Sequence, residues 1–173
     1  MRSETFWKII TVDEADLLGW LIDVLEAHSV RYCVIGGQAI NAYVDPLVSL
    51  DLDLVVAAEH LDGLEALFPE PFVVRRYPFS LNVSLPGSEL HVQFQTDARY
   101  FAFVDRAKPR TVLGHTLPVA KLEDVLAGKI WTAVNKTRRA SKRQKDLADI
   151  ARILDAYPEL RASVPDDVLG RLL

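Results

Sequence analysis

The chain has 173 residues, with 20 Lys and Arg against 24 Asp and Glu, a formal net charge of −4 and 50% apolar residues. That balance fits one globular domain with a sizeable core, with room for a helical extension, and excludes a uniformly basic nucleic-acid binder. The lone cysteine, Cys33, excludes an intramolecular disulfide and a cysteine metal cluster.

In chain order, Thr11 and Glu14 form a capping box that opens a helix over Thr11 to His28. Its Leu17, Leu18, Leu21, Ile22, Val24 and Leu25 recur at helical spacing. Tyr32 to Ile35 is a short buried strand that holds Cys33 as an inert thiol. Gly36-Gly37 breaks it, and Gln38 to Tyr43 continues as a helix that Pro46 closes. Leu50 to Ala57 is a second strand, and Glu59 to Phe68 a short helix ended by Pro69. Phe72 to Arg76, Leu81 to Leu85 and Leu90 to Gln95 are strands, the last two joined at Pro86 to Ser88. Tyr100 to Arg106 is helical, and Thr111 to Leu113 pairs with Thr116 to Val119 across Gly114-His115. Leu122 to Val134 and Lys142 to Tyr157 are amphipathic helices that need a surface to cover, and a short tail follows Pro158. Trp7, Trp20 and Trp131 are expected to pack. No run approaches the ~20 apolar residues of a membrane span. The N-terminal MRSETFWKII lacks the apolar centre of a signal peptide, so a cytoplasmic protein with no membrane partner is expected. The expected division is an α/β part over 1–119 and a helical part over 120–173 packed on it.

The stretch VSLDLDLVV is unusual for a buried strand. Side chains alternate across a strand, so Asp51 and Asp53 share one face and Leu52, Leu54 and Val56 the other. Two carboxylates so close repel each other, and burying either one unpaired costs several kcal/mol. Two readings follow: a solvated or arginine-paired strand start, or a divalent-cation site. Mg²⁺ takes hard oxygen ligands, often one or two carboxylates together with phosphates and water. The upstream Gly36-Gly37 lies between a strand and a helix, where a phosphate can approach the backbone closely. It is neither a Walker loop nor a dinucleotide fingerprint.

The run VIGGQAINAYVDPLVSLDLDLVV resembles the core of the DNA polymerase β-like nucleotidyltransferases. LPVAKLEDVLAGKIWTAV and SKRQKDLADIARI resemble the helical region of the AbiEii-type branch, which contains toxins of bacterial toxin–antitoxin pairs. The resemblance implies an α+β fold: a mixed sheet with flanking helices, followed by a C-terminal helical region. It implies transfer of a nucleoside monophosphate from an NTP to an RNA, protein or small-molecule acceptor, and a cognate antitoxin as partner. Gly36 and Gly37 would hold the triphosphate, Ser49 would touch a phosphate, and Asp51 and Asp53 would bind Mg²⁺, with Mn²⁺ as an alternative. Lys129 would neutralise nucleotide charge, and Lys145 and Asp146 match the family's Lys-Asp pair.

Two departures stand out. The family's third carboxylate falls near His91, with Glu89 as the substitute after a two-residue shift, and histidine suits Mn²⁺ better than Mg²⁺. Leu47 and Val48 occupy the neighbourhood where the family often carries an arginine. A catalytically degenerate member that binds nucleotide or a partner is therefore the alternative. The six basic residues between Asn135 and Lys145 support a further one, RNA binding through 136–145, against a plain solvated loop. The spacings Lys142/Asp146 and Lys145/Asp149 fit surface salt bridges.

Overall fold

The computed structural model describes residues 16–172. The capping box expected at Thr11 and Glu14, and Trp7, lie outside the described residues. The first described element is helix α1 (Leu17–Ala27), followed by β1 (Tyr32–Ile35), the short helix α2 (Gly36–Asn41) and β2 (Asp51–Val56). A hairpin of β3 (Val73–Tyr77) and β4 (Ser80–Ser84) comes next, then β5 (His91–Gln95) and the one-turn helix α3 (Phe103–Arg106). A second hairpin, β6 (Lys108–Val112) and β7 (His115–Val119), precedes α4 (Leu122–Val134), α5 (Ala140–Ala156) and α6 (Asp166–Leu169). Its turn puts both Leu113 (φ 50°) and Gly114 (φ 83°) in the left-handed region, the backbone of a two-residue turn whose twist matches paired strands.

The strands form one mixed sheet in the order β3-β4-β5-β2-β1-β7-β6. At its centre β2 runs antiparallel to β1 and parallel to β5. Alternation sorts the side chains of β2, β4 and β5. Leu52 and Leu54, Leu81 and Val83, and Val92 and Phe94 are buried on one face. An aromatic chain links that face to α1: Phe94 packs on Phe68 (5.6 Å), and Trp20 on Phe72 (4.2 Å) and Phe68 (5.8 Å). Each fully buried Leu or Phe contributes about 1.5–3 kcal/mol, and a one-residue slip would turn every one of them outward, so this face fixes the register. The other face carries Asp51, Asp53, Asn82, Ser84, His91 and Gln93 into a cavity. Beside that cavity Tyr100, Phe103 and Trp131 pack edge-on and stacked, tying α3 to α4.

Two expected helices are broken. Glu59 to Phe68 forms two 3-10 turns, Ala58–His60 and Glu65–Leu67. Gly63 lies between them, and a helix-interior glycine costs about 1 kcal/mol relative to alanine. Tyr100 to Arg106 splits into a 3-10 turn, Ala98–Tyr100, and α3; Asp97 caps the turn by accepting the Arg99 N–H at 3.0 Å. The tail after Pro158 holds a 3-10 turn and α6.

Candidate active site

The glycine bend and the acid strand meet in one place. β1 ends at Ile35, whose register partner on β2 is Asp53. The chain then turns through Gly36 at φ +67°. A Cβ on Gly36 would lie 2.3 Å from Asp53 Oδ2, whereas a Cβ on Gly37 would meet nothing within 4 Å. Packing therefore requires glycine at position 36 but not at 37, where the space opens into the cavity.

Before the acids, Ser49 Oγ accepts the Asp51 N–H at 3.2 Å, and the buried Gln38 amide donates to the Ser49 carbonyl at 3.1 Å. Asn41, on the same helix, holds the loop at Leu47 through two hydrogen bonds (2.7 and 3.0 Å). The segment that aims Asp51 and Asp53 is thus clamped by α2.

Among the described residues no hydrogen bond or ion pair holds the carboxylate of Asp51 or Asp53. Burial pushes the Asp53 carboxyl up to about 6; Lys129 draws it down and Asp51 raises it further. Of the alternatives for the strand, arginine pairing is not what the structure contains; both aspartates are half-buried and face the cavity. Two unpartnered oxygen ligands on one face, one of them resisting ionisation because burial strips it of water, fit a hard divalent cation such as Mg²⁺ or Mn²⁺. Among the described residues no group of three or more His, Cys, Asp or Glu is arranged to hold a metal. A cation held here would take Asp51 and Asp53 as its carboxylate ligands.

Facing the acids is a buried charge network. Lys129 Nζ lies 2.8 Å from Asp149 Oδ2 and 3.2 Å from Asp146 Oδ1, with side-chain exposures of 11%, 6% and 2%. Arg138 holds the second Asp146 oxygen at 2.9 Å, and Arg152 holds Asp149 at 3.1 Å. Arg152 also donates to Asn41 Oδ1 (3.2 Å) and the Asp45 carbonyl (2.9 Å), joining α5 to the clamped loop. Burial pulls the Lys129 ammonium down, but Asp149, Asp146 and Asp53 more than offset it and hold its pKa above the ordinary lysine value. The expected pairs Lys142/Asp146 and Lys145/Asp149 do not form: both aspartates turn inward to Lys129, Arg138 and Arg152, leaving Lys142 and Lys145 at the cavity.

The cavity has a volume of about 650 Å³. Gly36, Gly37, Ser49, Asp51, Asp53, His91, Lys129, Lys145 and Asp146 all line it. Glu89 does not; it is exposed before β5 begins. His91 is the β5 residue opposite Asp51. Residues the sequence reading gave no site role include Arg138, Asp149, Arg152, Arg75 and Asn82. Arg138 stood within the basic run, but nothing local marked it as the partner of Asp146.

Residues 38–171 match the family described as nucleotidyl transferase AbiEii toxin of type IV toxin–antitoxin systems. The chain belongs to the AbiEii family. Solved structures share the fold of this chain. ANT(2″)-Ia in complex with adenylyl-2″-tobramycin superposes with a TM-score of 0.61 at 14% identity, over 91% of this chain and 97% of that one. The lincosamide antibiotic adenylyltransferase LnuA with bound lincomycin gives 0.52 at 14% identity, over 83% and 99%. An antigenic nucleotidyltransferase-like protein from Paracoccidioides brasiliensis gives 0.53 at 19%, over 84% and 77%. No curated protein matches this chain. Nucleotidyl transfer is the general chemistry of this family, and the mixed seven-stranded sheet with flanking helices is the nucleotidyltransferase fold. No described helix is long and apolar enough to cross a membrane.

Proposed function

We propose that this AbiEii protein transfers a nucleoside monophosphate from an NTP to a hydroxyl acceptor and releases pyrophosphate. The observation that carries the reading is the pair of unpartnered carboxylates, Asp51 and Asp53, on the cavity face beside a glycine bend that leaves open space at Gly37. In the reaction the acceptor oxygen bonds to the α-phosphorus, the bond from that phosphorus to the β-phosphate oxygen breaks, and the hydroxyl proton leaves. A divalent cation, when bound, supplies charge neutralisation to the phosphate oxygens and organises an in-line displacement.

The chain's own residues have distinct tasks in this reading. Asp51 and Asp53 hold the cation. The backbone at Gly36 and Gly37 lets the triphosphate approach, and the Ser49 hydroxyl, which accepts from Asp51 N–H, keeps its own proton for a phosphate oxygen. Lys145, with Lys142, faces the phosphates as an exposed charge, and Asp146 and Asp149 fix Lys129 behind the acids. Asp51 and Asp53 come from the 1–119 part, and Lys129, Arg138, Lys142 and Lys145 from the 120–173 part, which gives the two parts of the chain complementary work. We place the reaction in the cytoplasm, where NTP is available, with the protein as the toxin of a pair whose antitoxin is its partner.

One observation favours a second reading. Among the described residues no third acid joins Asp51 and Asp53 in a metal-holding group, so NTP binding can outlast transfer, leaving a nucleotide-binding protein. The basic segment 136–145 contributes Arg138, Lys142 and Lys145 to the cavity lining, which supports a nucleotide role over a separate RNA surface. Labelled NTP incubated with Mg²⁺ or Mn²⁺ and total RNA or protein decides between them. Transfer by the wild type that disappears in Asp51→Ala/Asp53→Ala supports the enzyme. Tight NTP binding with no transfer supports the second reading.

A further inference from the structure

The cavity extends well past the acids, over a wing of the sheet that the nucleotide reading does not use. Gln93 of β5, Asn82 of β4 and Arg75 of β3 continue its lining. Their register is continuous: Asp53 opposite Gln93, Gln93 opposite Asn82, Asn82 opposite Arg75. Strands lie ~4.8 Å apart, so β3 is three spacings, roughly 14 Å, from the Asp53 strand. The long arginine side chain can reach back over part of that span.

The wing has a charge of its own. The other lysines and arginines of the cavity, Lys129, Arg138, Lys142 and Lys145, come from α4, α5 and the turn between them. Arg75 alone comes from the sheet, and among the described residues it has no carboxylate partner. Its neighbour Arg76, on the opposite face of β3, is taken by Glu65 at 2.7 Å. The remaining polar residues of the wing include no carboxylate: Tyr77, Asn82, Ser84, His91, Gln93 and Gln95. Asn82 Oδ1 is buried without a hydrogen-bond partner. An orphaned oxygen of this kind is destabilising, and a turn of the Asn82 amide toward the cavity would let it meet a donor.

We propose that the β3–β5 wing is the acceptor subsite, and that Arg75 selects a hydroxyl acceptor bearing a phosphate. A guanidinium presents a planar fork of donors that fits two phosphate oxygens at once. In this reading the triphosphate lies at the glycine bend, with β3 three strands away from the acids, so the charge of Arg75 is left for a second anion. A polycationic acceptor would meet Arg75 with no carboxylate on the wing to receive it. Asn82 and Gln93, between Arg75 and the acids, take the neutral polar groups of the acceptor.

The proposal rests on the nucleotidyl-transfer reading, and its test separates the two. The full chain is first saturated with a non-hydrolysable NTP analogue and Mg²⁺, then titrated calorimetrically with ribose 5-phosphate or ribose. Ribose 5-phosphate is expected to bind the loaded protein. Arg75→Ala should weaken that binding about tenfold or more, the value of one charge-assisted hydrogen bond, and Arg75→Lys should recover part of it. Affinity for ribose and for the analogue should be the same in all three proteins. Equal affinity of Arg75→Ala and wild type for ribose 5-phosphate overturns the proposal, as does displacement of the analogue by ribose 5-phosphate. Failure of the analogue itself to bind appears before any acceptor is added and overturns the underlying reading as well. A short oligoribonucleotide with a free 3′-hydroxyl, titrated in parallel, identifies the source of the phosphate. Tighter Arg75-dependent binding of the oligomer assigns a nucleic-acid chain, and tighter binding of ribose 5-phosphate a small phosphorylated sugar; either supports the subsite.

Discussion

Gly36 and Asp53 compete for the same space: a Cβ on the glycine would lie 2.3 Å from Asp53 Oδ2. The bend and the acid are therefore built as one unit. Gly36→Ala must displace the carboxylate and also holds alanine at φ +67°, a left-handed conformation that costs roughly 1–2 kcal/mol. Thermal melts should show a loss of at least that size. Gly37→Ala has open space around its Cβ and should melt like the wild type, while NTP affinity falls about tenfold because the methyl stands where a phosphate would. Normal NTP affinity in Gly37→Ala would show that the triphosphate lies elsewhere.

Asp53 gives a pH dependence with a definite sign. Its folded pKa, about 6, is above the ordinary aspartate value of 3.8. Its share of stability is therefore complete below about 4 and is lost as pH rises through 6. Without divalent cations the protein should melt higher at pH 5 than at pH 7.5 through this group. Asp53→Asn should flatten that window and stabilise the cation-free protein at pH 7.5 by up to about 3 kcal/mol. Mg²⁺ should raise the wild-type melting temperature at pH 7.5 and leave Asp53→Asn unmoved. A cation-free melting temperature that climbs from pH 5 to 7.5 more in wild type than in Asp53→Asn contradicts the assignment.

Lys129 is the hub of the helical part. Lys129→Met strands two buried carboxylates, although Arg138 and Arg152 still serve them, so the loss should fall near the lower end for a broken buried pair, about 3 kcal/mol. Removing one stranded charge with Lys129→Met/Asp149→Asn should recover part of the stability but no transfer activity. Denaturant melts of the single and double variants measure this, and additivity of the two changes would show that Lys129 and Asp149 are uncoupled.

Glu89 and Asp51 should separate cleanly. Glu89 is exposed and outside the cavity, so Glu89→Gln should leave Mg²⁺-dependent NTP affinity within about twofold of wild type. Asp51→Asn removes one of the two carboxylates and should abolish the Mg²⁺ dependence. Equal losses in both variants would restore Glu89 as the third ligand.

Much of this site was legible because it is local in sequence. Asp51 and Asp53 share a face by strand alternation, Gly36-Gly37 marks its own break, and Leu122 to Val134 announces its helix by period. The charge network was not legible, because its pairs span α4 and α5. Spacing along one helix suggested Lys142/Asp146 and Lys145/Asp149, but burial decided otherwise. Asp146 and Asp149 are on the covered side of α5, where they need desolvated partners, and Lys129, Arg138 and Arg152 supply them. Arg75 and Asn82 were hidden for a different reason: β3 and β4 reach the site only through the sheet order, which no local pattern reveals. The helix expected over Glu59 to Phe68 failed at Gly63, where a weak local preference met a chain that had to bend to bury Leu64 and Phe68.

The most direct measurement is calorimetric binding of a non-hydrolysable NTP analogue to the wild type and to Asp51→Asn/Asp53→Asn, each with and without Mg²⁺. The account predicts tight binding only for the wild type with Mg²⁺, and weak, Mg²⁺-independent binding in the double variant. Equal, Mg²⁺-independent affinity in both proteins would contradict it.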